Sequence, residues 1–254
     1  MRLQLLGSGG FHPNERRHTA CWMIPECRVV FDAGTSAFRI AERLESTELQ
    51  IFLTHAHLDH IAGLTYLLVP MLDGRLERVQ VIANESTLAA VQEHLFSDPV
   101  FPVEPGFEFV RLESRKSYPL CDGGVVTWCP LPSHPGGSTG FRIDWPASGE
   151  IPAKSVAYIT DTFVDGTYDS FVTGVDLLIH ECYFDDELGA KWAERTGHSF
   201  STQVADLASR VGAGQLVLVH VNPGRSEADP IGLEAMKARF RATEIGEDLM
   251  VLQV

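Results

Sequence analysis

Six consecutive residues, His55-Ala56-His57-Leu58-Asp59-His60, put four potential metal ligands directly behind the apolar run Ile51-Phe52-Leu53-Thr54. Residues two apart on a helix differ by about 200 degrees, so these four side chains cannot share one helix face. They converge if a strand ends in a turn that runs straight into a helix. In that geometry His55 and His57 serve one metal ion, while Asp59 and His60 reach a second from the opening turn of a helix that begins at Leu58. Imidazole and carboxylate at this density suit a borderline metal such as zinc.

The rest of the chain supplies sheets and helices to hold such a turn. Apolar runs predict strands at Arg2 to Leu6, Arg28 to Phe31, Gln50 to Leu53, Val79 to Ala83, Phe107 to Leu112, Val125 to Cys129, Gly140 to Asp144, Ser155 to Ile159, Asp176 to Ile179 and Gln215 to Val219. Many are continuous rather than alternating, which implies burial on both faces. Helical periodicity appears at Ser36 to Leu44, Leu58 to Leu72, Ser86 to Leu95, Asp185 to Arg195, Ser201 to Val211 and Pro230 to Phe240, with Ser201 placed as an N-cap and Pro230 in a first turn. Sheets covered by helices follow, in two halves meeting near Pro119 to Val125. No linker or change of composition marks that point, so residues 1–254 read as one domain.

Composition excludes several classes of function. Only Leu3 to Leu6 precedes Gly7-Ser8-Gly9-Gly10, too short for the apolar core of a signal peptide, and the stretch Tyr66 to Leu72 carries Pro70 and falls short of a membrane span. A cytoplasmic protein with no membrane partner is expected. The five cysteines (Cys21, Cys27, Cys121, Cys129, Cys182) form no Cys-x-x-Cys pair and are odd in number, which predicts free thiols, mostly buried. Thirty-four acidic residues against twenty basic ones leave a formal charge of −14, which disfavours general nucleic-acid binding. Two divalent cations would raise that to about −10 and concentrate positive charge where a small anionic substrate needs it. A homodimer is compatible with the sequence but not dictated by it.

A catalytic zinc takes about three protein ligands and leaves a position open, so further ligands must come from downstream. His134 follows the run ending at Leu131, Asp161 ends Val156 to Thr160, and His220 ends Leu216 to Val219. Taken alone, a histidine ending a strand is often structural, and Asp161 in its Thr-Asp-Thr turn could equally be a cap. In this order, however, the set from His55 to His60 with His134, Asp161 and His220 resembles the metallo-β-lactamase superfamily, and Phe31-Asp32-Ala33-Gly34 is similar to its early Asp-x-Gly motif. The resemblance implies an α/β (α+β) fold, a four-layer αββα sandwich with two divalent metal ions at one sheet edge. It places His55, His57 and His134 on the first ion, Asp59, His60 and His220 on the second, and Asp161 between them. Asp32 would fix a ligand imidazole by a hydrogen bond, or serve only as a turn carboxylate. Zinc is the first expectation, with manganese or iron also compatible with Asp59 and Asp161.

Two metal ions holding a bridging hydroxide suit phosphodiester hydrolysis, and the leaving oxygen then needs a proton from a carboxylate-backed histidine. His180-Glu181-Cys182 and Gly197-His198-Ser199 are similar to the His-Glu-Ala-Thr and His-Ser-Thr motifs of ribonuclease Z and its relatives. By that resemblance His198 is the general acid and Glu181 orients it, with Asp59 also in the catalytic set. The role of His180 stays open. The chain departs from the motifs at Cys182, Tyr183 and Phe200, and its 27 positions from His134 to Asp161 are too few for a transfer-RNA-gripping arm. The expectation is a hydrolase of a small phosphodiester or nucleotide. A lactone, thioester or sulfate ester on the same site, transfer-RNA 3′-end cleavage, and a non-enzymatic metabolite sensor remain alternatives.

Overall fold

In a computed structural model, which describes residues 1–225 and 227–254, the chain divides into two compact units: residues 1–116 with 248–253, and residues 117–247 with 254. The first carries β1 (Arg2–Gly7), β2 (Cys21–Ile24), β3 (Val29–Phe31), β4 (Glu48–Phe52), β5 (Arg78–Ala83) and β6 (Glu108–Arg111), with helices α1 (Leu58–Ile61), α2 (Leu68–Leu72) and α3 (Glu85–Ala90). The second carries β7 (Tyr118–Pro119), β8 (Val125–Leu131), β9 (Ser138–Trp145), β10 (Lys154–Ile159), β11 (Leu177–Glu181), β12 (Gln215–Val219) and β13 (Thr243–Ile245), with α4 (Asp169–Val172), α5 (Asp186–Thr196), α6 (Ser201–Val211) and α7 (Leu233–Arg239). The last strand, β14 (Val251–Gln253), belongs to the first unit.

The first sheet runs β14-β1-β2-β3-β4-β5-β6, antiparallel as far as β3 and parallel from there to β6. One face, through Met23, Val30, Ile51, Val79 and Val81, packs on Ile61, Leu64, Leu67, Leu88 and Val91. The alternate residues are buried as well: Phe31 stacks on Trp22 at 4.4 Å and on Phe52 at 5.3 Å. Burial on both faces is the reason the strands read as unbroken apolar runs. Asp248 ties the N-terminal segment down, accepting hydrogen bonds from Ser8 N and Oγ, His18 N and the Arg39 guanidinium.

The second sheet runs β7-β8-β9-β10-β11-β12-β13, antiparallel as far as β10 and parallel from there to β13. Ala157, Ile159, Leu178, Leu216 and Leu218 pack on Val204, Ala205, Leu207 and Ala208 of α6 and on Met236 of α7. Both units therefore follow one plan, an antiparallel run feeding a parallel one. No sequence repeat announces it.

All ten expected strands are present, Gln215–Val219 with the expected bounds and the others with shifted ends; β2, β7, β13 and β14 are additional, each four residues or fewer. The helix expected over Ser36 to Leu44 shrinks to a 3-10 turn, Ala37–Arg39. Leu58 to Leu72 is helical in three pieces, because Gly63 N donates to Ala33 O instead of to the helix ladder. Ser201 lies inside α6 rather than capping it, its hydroxyl committed to the carbonyls of Phe184 and Ile231. The last helix begins at Leu233, not Pro230, where the Asp229 carboxylate accepts from Gly232 N and Leu233 N. Among the described residues no helix is long and apolar enough to cross a membrane.

Candidate metal centre

In the first unit β3 and β4 are parallel, with Phe31 level with Phe52, so the segments that follow leave the same sheet edge. Asp32 takes a left-handed backbone (φ 59°) and donates its N–H to Phe52 O. Its carboxylate accepts Thr54 N–H at 2.8 Å and the Thr54 hydroxyl at 2.9 Å on Oδ1, and His60 Nδ1–H at 2.8 Å on Oδ2. The Thr54 proton is thus committed to Asp32, so His55 Nδ1, 3.0 Å from Thr54 Oγ1, is the donor in that pair. Both imidazoles carry their proton on Nδ1 and keep the Nε2 lone pair for a cation, the usual arrangement of metal-binding histidines.

Helix α1 starts directly after His57, and His60 Nε2 lies 3.4 Å from Asp59 Oδ2. The His55 ring is 4.5 Å from that of His57 and 4.3 Å from that of His60. Asp59 Oδ2 also accepts Phe11 N–H at 2.8 Å. Gly34 completes the Asp-x-Gly motif for a steric reason: a Cβ there would stand 2.3 Å from Asp59 O and 2.4 Å from Thr19 Oγ1. The aspartate holds the imidazole, and the glycine lets the first turn of α1 approach.

In the second unit β10, β11 and β12 are consecutive parallel neighbours, Ile159 level with His180 and Glu181 with Val219. Asp161, Glu181 and His220 therefore gather at the carboxyl ends of the strands, where open α/β sheets bind ligands. His134 sits in the β8–β9 hairpin loop at the same edge, where Ser138 Oγ donates to Thr160 O. His134 Nδ1 donates to Gly197 O at 3.2 Å. Its Nε2 lies 3.5 Å from Asp161 Oδ2, and His220 Nε2 lies 3.2 Å from Asp161 Oδ1, so this one carboxylate turns an oxygen to each imidazole. Asp161 and His220 both have left-handed backbones, φ 49° and 56°. Burial lowers the pKa of His134 against the pull of Asp161, which favours the neutral imidazole a metal requires.

Beside this cluster stands a second arrangement. Glu181 is fully buried, and Oε1 accepts Thr162 N–H at 2.6 Å and His198 Nδ1–H at 3.1 Å, while Oε2 accepts Ser199 N–H at 3.1 Å. Glu181, His198 and His220 stand close enough to ligate one ion. Three donors already occupy the carboxylate, however, which suits it to orienting His198. The His198 ring is 4.9 Å from that of His134 and 5.4 Å from that of His220, and its side chain keeps 14% exposure. His180 points into the core instead: Nδ1 donates to Glu181 O at 2.7 Å and Nε2 accepts from Tyr168 OH at 2.8 Å. Cys182 donates to Phe184 O, burial holding its thiol well above the ordinary range. Arg225 is bound by Asp185 and Glu227.

A family model described as a beta-lactamase superfamily domain matches residues 27–221, more than three quarters of the chain. The chain belongs to this superfamily. The matched span takes in all seven candidate ligands together with Asp32, Glu181 and His198. A ribonuclease Z of Acaryochloris marina is 28% identical, the alignment covering 100% of this chain and 98% of that protein over 308 positions. A metallo-beta-lactamase fold protein, YhfI from Bacillus subtilis, superposes with a TM-score of 0.79 at 19% identity over 99% of each chain. A diphosphatase from the PhnP family superposes with a TM-score of 0.70 at 19% identity, covering 100% of this chain and 97% of that one. The fold is the αββα sandwich of the metallo-β-lactamase type.

Sequence reasoning picked out the superfamily's histidines and carboxylates, with Asp32 and Glu181 among those that orient imidazoles, but not the neutral groups that assist them. Thr54, Thr162 and Gly197 act through a hydroxyl, an N–H and a carbonyl, groups that no ligand spacing reveals. Thr54 stands directly before His55 and Gly197 directly before His198, and that adjacency was the available signal.

Proposed function

We propose that the chain is a dinuclear metal-dependent phosphodiesterase. It is a hydrolase acting on ester bonds, and the observation that carries the reading is Asp161, with one carboxylate oxygen toward His134 Nε2 and the other toward His220 Nε2. His55, His57 and His134 would hold one divalent ion and Asp59, His60 and His220 the other, with Asp161 shared. The donor set fits, since His55, His60 and His134 each have Nδ1 engaged by an acceptor and offer Nε2. Zinc is the proposed metal, because imidazole predominates among the seven ligands. Such a pair of ions supplies Lewis acidity at the phosphoryl oxygens and a lowered pKa for water.

The chain's own residues supply the proton and its direction. Glu181 keeps a proton on His198 Nδ1, which leaves Nε2 to deliver one to the departing oxygen. Three observations favour a small anionic diester. The 308 aligned positions with the Acaryochloris marina ribonuclease Z exceed this chain's 254 residues, so at least about 54 positions of that relative have no counterpart. Between His134 and Asp161 the chain is used up by β9, a short connection and β10. The formal charge of −14 opposes polyanion binding away from the site. Cleavage of precursor transfer RNA is the second reading, supported by the name of that relative.

The protein is placed in the cytoplasm in this proposal, in keeping with an odd number of cysteines and no Cys-x-x-Cys pair. Metal analysis of protein purified without chelator, then assays of bis(p-nitrophenyl) phosphate, cyclic nucleotides and precursor transfer RNA with that metal, test the reading. Faster turnover of a lactone or thioester than of every phosphodiester would overturn it.

A further inference from the structure

Behind His198 lies an aromatic ring with no assigned role. Tyr183 follows β11 by two residues, and both its N–H and that of Phe184 donate to Ser199 O, which binds this segment alongside His198. The Tyr183 ring stacks on the imidazole of His198, centroids 4.8 Å apart and planes inclined by 21°. Phe184 meets Tyr183 edge-on at 5.0 Å and holds it from the side. The ribonuclease Z-like motif carries Thr at this position, a side chain unable to stack.

The contact matters because of what Glu181 leaves undone. Its hydrogen bond holds the Nδ1 edge of the ring, next to the Cβ–Cγ bond, but the opposite edge, which carries Nε2, can still tilt. Such a tilt swings the Nε2 proton away from its target. A ring stacked on the face removes this freedom. We propose that Tyr183 is the positioning residue for proton donation, its stacked ring setting the direction of His198 Nε2–H. The inference rests on the phosphodiesterase reading. In the step concerned an oxygen derived from water bonds to phosphorus as the P–O bond to the leaving group breaks; the electron pair of the broken bond goes to the departing oxygen, which takes the Nε2 proton of the His198 imidazolium and leaves His198 neutral, protonated on Nδ1.

A leaving group that is a good anion needs no proton, whereas a poor one depends on the donor. The test compares metal-loaded wild type, Y183L, Y183F and H198A on methyl aryl phosphates ranging from 4-nitrophenyl to phenyl. In Y183L kcat is expected to fall about tenfold or more for the phenyl ester, and far less for the nitrophenyl ester, with KM little changed, since small misplacements of a reacting group cost up to about 100-fold. Y183F keeps the ring and restores the shallow dependence on leaving group. Should Y183L fail to fold, Y183T takes its place. A second readout needs no metal: the His198 Hε1 resonance of the metal-free protein, identified by its loss in H198A, moves downfield in Y183L and not in Y183F as the ring current is removed. Equal losses on all esters, or an unmoved resonance, would overturn the role of Tyr183. If H198A itself leaves the leaving-group dependence unaltered, the general-acid assignment is what fails.

Discussion

His60 Nδ1 lies 2.8 Å from Asp32 Oδ2, and neither side chain is exposed to solvent. The same carboxylate takes both donors of Thr54, whose hydroxyl in turn receives His55 Nδ1–H, so one buried aspartate sets the tautomer of two imidazoles belonging to different proposed metal positions. Asn at position 32 would turn an NH2 group toward donors that need an acceptor. We expect D32N to lose about 1–3 kcal/mol of stability from the unpaired donor, and about 10–100-fold in metal affinity. Chelator competition measures the second effect; wild-type affinity in D32N would show that the hydrogen bond has no part in ligation.

His198 and Glu181 should separate in their effects. H198A removes a partly exposed ring that ligates nothing in the proposed assignment, so metal content and melting temperature stay near wild type while kcat for a phosphodiester with a poor leaving group falls by about 100- to 10,000-fold. E181Q lowers both rate and stability, because a single amide oxygen cannot accept from Thr162 N, Ser199 N and His198 Nδ1 together. About 1–3 kcal/mol of stability is expected to go with the unpaired buried donor. Melting curves that show the two variants equally stable would contradict this division of labour.

The legible part of the molecule is the part that spacing and hydrophobicity encode. His55 to His60 must leave a strand and enter a helix to converge, and they do so, with His57 at the N-cap of α1. What stayed hidden is backbone shape: Asp32, Asp161 and His220 all adopt left-handed conformations that ordinary residues avoid, and no local pattern marks them. The expected helix from Ser36 failed for a related reason. Ala37, Ile40 and Leu44 meet the core at helical spacing, yet a 3-10 turn and successive turns achieve the same burial. The common plan of the two sheets is carried by strand order, which residue identity does not repeat.

Acid should destabilise the protein through His180. Burial lowers its pKa from an ordinary 6.5, with Glu181 pulling the other way but losing. As pH falls the unfolded chain takes up the proton first, so the stability present above pH 6.5 is lost through the window below it, down to the folded protein's own lower value. For one proton the slope is at most about 1.4 kcal/mol per pH unit. Denaturant titrations at stepped pH, with chelator present so that the ligand histidines behave alike in both proteins, should show a shallower slope in H180N than in wild type. Asn can still donate to Glu181 O, although Tyr168 OH loses its acceptor and the variant is less stable overall. Identical slopes would remove His180 as the titrating group.

Two glycines with similar backbones give the sharpest test of how α5 supports the site. Gly197 and Gly212 end α5 and α6 in left-handed conformations, φ 69° and 66°, so alanine at either carries the same local strain, about 1 kcal/mol. Only at Gly197 would a Cβ collide with backbone, 2.5 Å from Ser133 O and 2.6 Å from His134 Cα, whereas nothing stands within 4 Å of the corresponding position at Gly212. Gly197 O is also the acceptor for His134 Nδ1. G197A must therefore push the His134 loop away and disturb the tautomer of that ligand, while G212A leaves the loop untouched. We expect G212A to bind metal as wild type does, with a melting temperature a few degrees lower. In G197A the loss of stability should be at least twice as large and accompanied by about tenfold or greater weakening of metal binding. Calorimetry on metal-free and metal-loaded protein separates the two contributions, and matched metal affinities in the two variants would mean that Gly197 serves only as a helix cap.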